Sequence, residues 1–375
     1  MRVFVIAGEP SGDQLGAALM RGLRALVPGV TFDGIGGAAM IGEGLVSRFA
    51  MHELSIMGLV EVAPKYFHLK RRIAETAAQV VDTNPDVLIT IDSPDFCLRV
   101  ARLVKASSDV RCVHYVAPSV WAWRPGRAAK MAKVIDHVLA LLPFEPPLMQ
   151  AAGMDCDFVG HPVVGEGQAS AEEMAAFRAR HGLGDAPILL ALPGSRKGEV
   201  ARLAPVFGAG LRLFLGRHPE MRVVVQAAGP VEAEVRAQVA DWPGSPLVVT
   251  QEAGKRACFG AATLALAASG TVSLELAAAG TPMVIAYDFN RLTWAVLRRM
   301  ALTDTATLVN LVSETRVVPE CLGPECRADK IAGCLEQVLQ NPQAQTAAMA
   351  LTMMRLGQGG EAPGLRAARA VLAGL

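Results

Sequence analysis

Short, unbroken apolar runs recur along the chain, with longer amphipathic stretches between them. In the first half they are VFVIA (3–7), DVLITI (86–91), CVHYV (112–116), VLALL (138–142) and FVG (158–160). In the second half they are ILLAL (188–192), RVVVQAA (222–228), PLVVT (246–250), LALAA (264–268) and PMVIAY (282–287). A strand with one wet face alternates apolar and polar residues, whereas a strand covered on both faces does not. The runs therefore predict parallel strands, and the intervening stretches predict crossover helices. The fold class is α/β, with two doubly wound Rossmann-like domains. The polar stretch GEGQASAEEM (165–174), followed by RARHGLGDAP, marks the boundary and gives domains over 1–165 and 166–345. Residues 346–375 read as a helical tail interrupted by Gly357, Gly359, Gly360 and Pro363, with a last helix placed to pack on the first domain.

Composition narrows the function. Among 375 residues, 36 Lys+Arg against 35 Asp+Glu leave a net charge of +1, so the broad basic field needed to bind nucleic acid is missing. Seven cysteines, an odd number without a Cys-x-x-Cys pair, read as free thiols in a reducing, cytoplasmic compartment and not as a structural zinc site. The apolar N-terminus meets Glu9 too early for a signal peptide. Residues 257–274 carry no charge, but they are rich in Gly, Ala, Ser and Thr, and Glu275 interrupts the apolar continuation. A buried strand–loop–helix unit fits them better than a membrane span.

Three loops between a strand and a helix could receive an anion on free amides at the positive helix end. In AGEPSGDQLGA (7–17) the glycines do not form a dinucleotide fingerprint, and GIGG (34–37) is incomplete, so a nicotinamide-dependent oxidoreductase lacks its signature. Turning a strand into a helix explains those glycines equally well. In LALPGSRKGEV (190–200), Gly194 ends a strand, Ser195 is placed to cap the next helix, and Arg196 and Lys197 put positive charge where the macrodipole disfavours it. A bound anion would compensate; a solvated Arg–Lys pair is the weaker alternative. In ASGTVSLELAAAGTPMVI (268–285), Ser269, Gly270 and Thr271 open a helix and Glu275 lies one turn inside it. A buried carboxylate needs partners, for which the hydroxyl pair of a ribose is suitable, unless Glu275 faces solvent.

Further chemistry lies in the first half. Asp92 and Asp95 follow the strand 86–91, where α/β folds place ligands, although capping the next helix is a common role for an Asp such as Asp92. His114 sits inside a strand-like segment, where a lone histidine is more often structural. Trp121 and Trp123 stand beside Arg124, Arg127, Lys130 and Lys133; core packing and contact with an acyl chain and a sugar phosphate are equally good readings. KYFHLKRRI (65–73) mixes basic, aromatic and aliphatic residues as interfacial segments do, and LTWAVLRRMAL (292–302) is a second such stretch; an ordinary charged helix face competes in both cases.

AGEPSGD (7–13), SIMGLVEV (55–62), IDSPDF (91–96), HYVAPSVWAWRPGR (114–127), LPFE (142–145), VGHP (159–162), LPGSR (192–196) and ASGTVSLE (268–275) occur together and in this order. The set resembles the lipid-A-disaccharide synthase family over nearly the whole chain. The resemblance implies the two-domain GT-B glycosyltransferase fold with a cleft between the domains. It implies a metal-independent, cofactor-free, inverting transfer from UDP-2,3-diacylglucosamine to the 6-hydroxyl of 2,3-diacylglucosamine 1-phosphate, giving a β-1,6-linked disaccharide 1-phosphate and UDP. Carried onto matching positions, it implies Asp92 as general base with Asp95 orienting it, and Glu9, Ser11, Gly12 and Asp13 on the acceptor side. It implies Gly194, Ser195 and Arg196 at the diphosphate, Ser269, Gly270 and Thr271 completing the cradle, Glu275 on the ribose, and Asn310 near the donor. Val309 stands where the family more usually has Pro. Peripheral contact with the cytoplasmic face of the inner membrane is expected through Lys65, Tyr66, Phe67, Lys70, Arg71 and Arg72, and self-association into a homo-oligomer is compatible with the apolar composition. The rival readings are another UDP-sugar enzyme of the same fold, such as an epimerase that turns over without acceptor, and a non-catalytic lipid- or nucleotide-binding module.

Overall fold

The computed structural model describes residues 1–54, 59–165, 167–250 and 254–375, without the side chains of 59–66 and 291–292. The chain divides into two compact units, Met1–Gly165 with Gly359–Leu375, and Glu166–Gln358.

The first unit is built on a six-stranded parallel sheet: β1 (Arg2–Ala7), β2 (Thr31–Ile35), β3 (Val87–Ile91), β4 (Arg111–Tyr115), β5 (His137–Ala140) and β6 (Asp155–Phe158), in the order β2-β1-β3-β4-β5-β6. The second has β7 (Ile188–Leu192), β8 (Arg222–Ala227), β9 (Leu247–Thr250), β10 (Leu264–Ala268), β11 (Met283–Tyr287) and β12 (Glu320–Leu322), in the order β12-β11-β10-β7-β8-β9. In each sheet the chain winds outward from its first strand and then reverses, so the strand order switches between β1 and β3 and between β7 and β10. Loops at the carboxyl ends of such a pair diverge and leave a crevice for ligands.

Eight of the ten apolar runs form the central strands of the two sheets, PLVVT forms the half-buried edge strand β9, and FVG lies at the edge strand β6. The edge strands β2 and β12 carry polar residues and so no apolar run marks them: TFDGI is exposed or half-buried over its first three residues, and ECL buries only Cys321. At the other edge, β6 runs over Asp155–Phe158, not 158–160, because its pattern alternates exposed and covered residues.

Helices cover both faces. The helix Lys197–Leu215 places Val200, Leu203, Phe207, Leu211 and Phe214 on one stripe against the second sheet, each burial contributing roughly 1.5–3 kcal/mol. Residues 346–375 do not act as one tail. The helix Gln343–Arg355 belongs to the second unit, where the Gln345 amide accepts from the Met283 amide and donates to its carbonyl, both at 2.9 Å. The helix Pro363–Ala373 packs on Pro10–Leu26 in the first unit, so closely that a Cβ on Gly22 would lie 2.5 Å from the Gly364 carbonyl oxygen. Among the described residues, no helix is long and apolar enough to cross a membrane.

Candidate active site

In the second unit, the loops after β7 and β10 enclose a cavity of about 380 Å3. Its walls include Gly194, Ser195, Arg196, Ser269, Gly270, Thr271 and Glu275, so two loops some 75 residues apart in sequence converge as the switch point requires. Gly194 (φ +123°) and Gly270 (φ +156°) occupy backbone conformations that other residues rarely adopt. The helices that follow, Lys197–Leu215 and Val272–Ala279, start without a side-chain cap. Ser195 does not cap the first of them: the cap position falls on Arg196 because the helix starts one residue later than expected.

Two side chains that sequence reasoning passed over shape this cavity. Glu199 folds back so that Oε2 accepts from the Ser195 amide at 3.2 Å, while Oε1 accepts from the Tyr287 hydroxyl at 3.3 Å and lies 3.5 Å from Arg196. A Cβ on Gly194 would stand 2.7 Å from Glu199 Cβ, so this arrangement requires glycine there. Lys255 Nζ lies 2.7 Å from Glu275 Oε2. Glu275 is thus a half-buried, ion-paired carboxylate and not one awaiting its only partner. Glu199 was detectable as the acidic residue three positions after Arg196; nothing local marks Lys255.

In the first unit, a cavity of about 180 Å3 opens at the carboxyl ends of β3 and β4, lined by Asp92, Pro94, Leu98, His114, Val116–Ser119, Arg127 and Met131. Its backbone is unusual. Asp92 (φ +51°), Ser93 (φ +43°) and Val116 (φ +84°) are all left-handed, which is uncommon for Asp and Ser and a pronounced outlier for a β-branched Val. Such conformations cost of the order of 1–3 kcal/mol each and collect where a surrounding fold holds a functional group in place. The cap of the next helix is Ser93, with no side-chain bond, so Asp92 is not spent on capping and faces the cavity. Asp95 is exposed in the first turn of that helix and does not line the cavity.

His114 is buried in the same wall, with Nδ1 2.7 Å from Thr90 Oγ1. Burial lowers its pKa to about 4, which keeps the imidazole neutral. Gly8 ties the first loop to this region: a Cβ there would collide with the Ser93 side chain.

Other expected site residues are placed elsewhere. The Asp13 carboxylate is buried and accepts from the Gly37 (2.8 Å), Ala39 (2.8 Å) and Met40 (3.1 Å) amides, capping the helix Ala38–Gly42. Gly12 is buried against Ile91, Glu9 is half-buried at the start of the helix Pro10–Leu26, and Ser11 is exposed. Asn310 is 1% exposed and does not line the cavity of its unit. Its amide donates to Thr305 Oγ1 and the Val318 carbonyl and accepts from the Val318 amide, which satisfies it within the fold. Trp121 donates to Glu145 Oε1 at 3.2 Å and meets Phe144 edge-on at 5.5 Å, and Trp123 lies under the Arg124 guanidinium at 4.2 Å. Both rings therefore have partners within the protein.

On the helix Leu59–Thr83, Phe67 is 81% exposed and Lys70 is exposed. Arg71 pairs with Glu75 at 3.4 Å, and Arg72 is drawn inward to Glu53 at 2.8 Å and over the Phe49 ring at 4.4 Å. The Lys65 and Tyr66 side chains and residues 55–58 lie outside the described residues. Among the described residues, no three His, Cys, Asp or Glu side chains are grouped to hold a metal ion.

The profile of a family described as lipid-A-disaccharide synthetase matches residues 3–368. Lipid-A-disaccharide synthase from Ruegeria pomeroyi is 69% identical over 99% of this chain and 95% of its own length. The protein of the same description from Rhodospirillum centenum is 46% identical over 99% of this chain and 94% of its own. Among solved structures, UDP-GlcNAc 2-epimerase from Neisseria meningitidis, bound to UDP-GlcNAc, superposes with a TM-score of 0.65 at 10% identity, covering 100% of this chain and 99% of its own. The Methanocaldococcus jannaschii UDP-GlcNAc 2-epimerase, in complex with UDP-GlcNAc and UDP, gives 0.63 at 12% identity, covering 100% and 99%. At such identities the likeness is one of fold.

Proposed function

The chain belongs to the lipid-A-disaccharide synthetase family, and from that premise we propose how its residues carry out the family's glycosyl transfer. The enzyme joins the sugar of UDP-2,3-diacylglucosamine to the 6-hydroxyl of 2,3-diacylglucosamine 1-phosphate. The bond from acceptor O6 to the donor's anomeric carbon forms as the bond from that carbon to the UDP phosphate oxygen breaks. The bonding electrons leave with UDP, and the hydroxyl proton needs a base.

UDP occupies the larger cavity. Its diphosphate takes the amides of the loop after β7 and the start of the helix Val272–Ala279, and Arg196, 64% exposed and only loosely held, swings onto it. Positive charge fixed beside a departing diphosphate stabilises the transition state more than the ground state, because charge develops there as the bond breaks. Lys255 and Glu275 form a matched pair at the rim, Glu275 towards the ribose hydroxyls. Asp92 is the general base in the smaller cavity, and Asp95 contributes only through the first turn of the helix Pro94–Lys105. Asp13 and Asn310 keep the loops around them in shape. The observation that carries this reading is the convergence of the 194–196 loop, the 269–271 loop and Glu275 on one cavity of about 380 Å3.

The acylated substrates come from a lipid surface. Phe67, Lys70 and Arg71 on the helix Leu59–Thr83 supply an exposed aromatic group and two outward cations for peripheral contact with the cytoplasmic face of the inner membrane. The function is tested by incubating purified protein with both acylated sugars and assaying UDP and disaccharide phosphate. UDP released only when both are present supports it; donor turnover without acceptor, or no turnover, refutes it.

A further inference from the structure

The smaller cavity is lined by two ionisable groups of opposite kind, and proton abstraction from the acceptor uses only one of them. Asp92 supplies a carboxylate; Arg127, half-buried in the first turn of the helix Gly126–Met131, supplies a guanidinium. The two line the same 180 Å3 and yet do not pair. Among the described residues, the Arg127 guanidinium has neither an ion-pair partner nor a hydrogen bond.

Its neighbours are occupied or turned away. Arg124 lies over Trp123, and Lys130 and Lys133 are exposed. The remaining titratable wall, His114, is neutral and anchored to Thr90, so Arg127 is the cavity's one positive charge among the described residues. A half-buried guanidinium with no partner inside the protein is free to take an incoming anion. Its planar fork matches two oxygens of a phosphate.

We propose that Arg127 binds the phosphate of the acceptor and makes the enzyme select phosphorylated over unphosphorylated acceptor sugars. The inference rests on the reaction proposed above. A ligand that gives a hydroxyl proton to Asp92 and an anion to Arg127 must carry both on a frame small enough for this cavity, and a sugar phosphate does so. His114, being uncharged, takes a ring hydroxyl without competing for the phosphate. Arg127 is thus a specificity residue, separate from the donor site.

The test measures kcat/KM with UDP-2,3-diacylglucosamine as donor and two acceptors, 2,3-diacylglucosamine 1-phosphate and its dephosphorylated form. The unmodified enzyme is expected to prefer the phosphorylated acceptor by about 30-fold or more, the size of a lost charge-assisted contact. Arg127→Ala should remove most of that preference, mainly by raising KM for the phosphorylated acceptor, while its rate with the dephosphorylated one stays within about twofold. Arg127→Gln, which preserves bulk and packing, should behave alike and covers the case in which truncation unfolds the loop. Equal losses with both acceptors, or a preference that survives in the variants, would overturn the inference. If the unmodified enzyme releases no UDP with either acceptor, the reaction itself is at fault, and the inference falls with it.

Discussion

The Glu199 carboxylate accepts a hydrogen bond from the Ser195 amide at 3.2 Å, inside the loop that is to receive the diphosphate. An anion therefore already sits where another must bind, held by Tyr287 on its far side. Burial and the neighbouring Glu199 raise the Tyr287 pKa, so its hydroxyl stays protonated and keeps donating. UDP must displace or share this carboxylate's amide. Glu199→Gln should tighten UDP binding roughly two- to fivefold, the size of a screened like-charge contact. Calorimetry checks this, and unchanged or weaker binding would show that the carboxylate does not oppose the ligand.

Asp92 and Arg196 should separate chemistry from binding. Asp92→Asn keeps the left-handed backbone, which Asn tolerates, and removes the base, so kcat should fall by about 10²-fold or more with UDP affinity unchanged. Arg196→Ala should weaken UDP binding as well as lower kcat. Steady-state kinetics beside UDP titration distinguish the two; full turnover in either variant removes that residue from its role.

Glu145 is buried and accepts from Trp121 Nε1 and the Leu142 amide. Burial nevertheless dominates and raises its pKa to about 7. The folded state thus holds a proton that the unfolded state releases near pH 4.5, so stability falls as pH rises from about 4.5 to 7 and levels off above that. The effect is of the order of 3 kcal/mol. His114 and His161, both lowered to about 4 by burial, act in the opposite sense, costing stability as pH falls below about 6.5. The comparison must therefore be with Glu145→Gln. Thermal melts from pH 5 to 8 should show the unmodified protein losing Tm relative to the variant as pH rises; parallel curves would refute the assignment.

Gly22 and Gly364 set how closely the helices Pro10–Leu26 and Pro363–Ala373 approach. A Cβ on Gly22 meets the Gly364 carbonyl at 2.5 Å, and one on Gly364 meets the Ala18 carbonyl at the same distance. Backbone cannot step aside as a flexible side chain can. Gly22→Ala should cost about 1–3 kcal/mol in urea unfolding despite its better helix propensity. A gain in stability would mean that the helices can separate freely.

Phe67 stands 81% exposed beside Lys70 and Arg71. Phe67→Ser with Lys70→Glu should reduce sedimentation with anionic vesicles severalfold while leaving turnover of detergent-dispersed substrates intact. Undiminished vesicle binding would place the contact on another surface.

Read without its fold, the chain already determined its two α/β units, its covered strands and both strand-to-helix loops of the larger cavity. Those features are local: burial on both faces makes a run continuously apolar, and a glycine next to a strand end marks a sharp turn whatever lies across from it. The edge strands β2 and β12 escaped because their polar, half-wet residues lose that pattern. Tertiary structure alone decided which polar groups remain available. Asp13 and Asn310 look as promising in sequence as Asp92, yet the first is consumed by amides 24–27 residues away and the second by Thr305 and Val318. Glu275 met Lys255, Tyr287 closed on Glu199, and Arg127 arrived in a cavity with Asp92 without pairing with it. A side chain's pattern in the chain reports its own burial; its partner depends on which distant segment the sheet order brings alongside, and no local pattern encodes that.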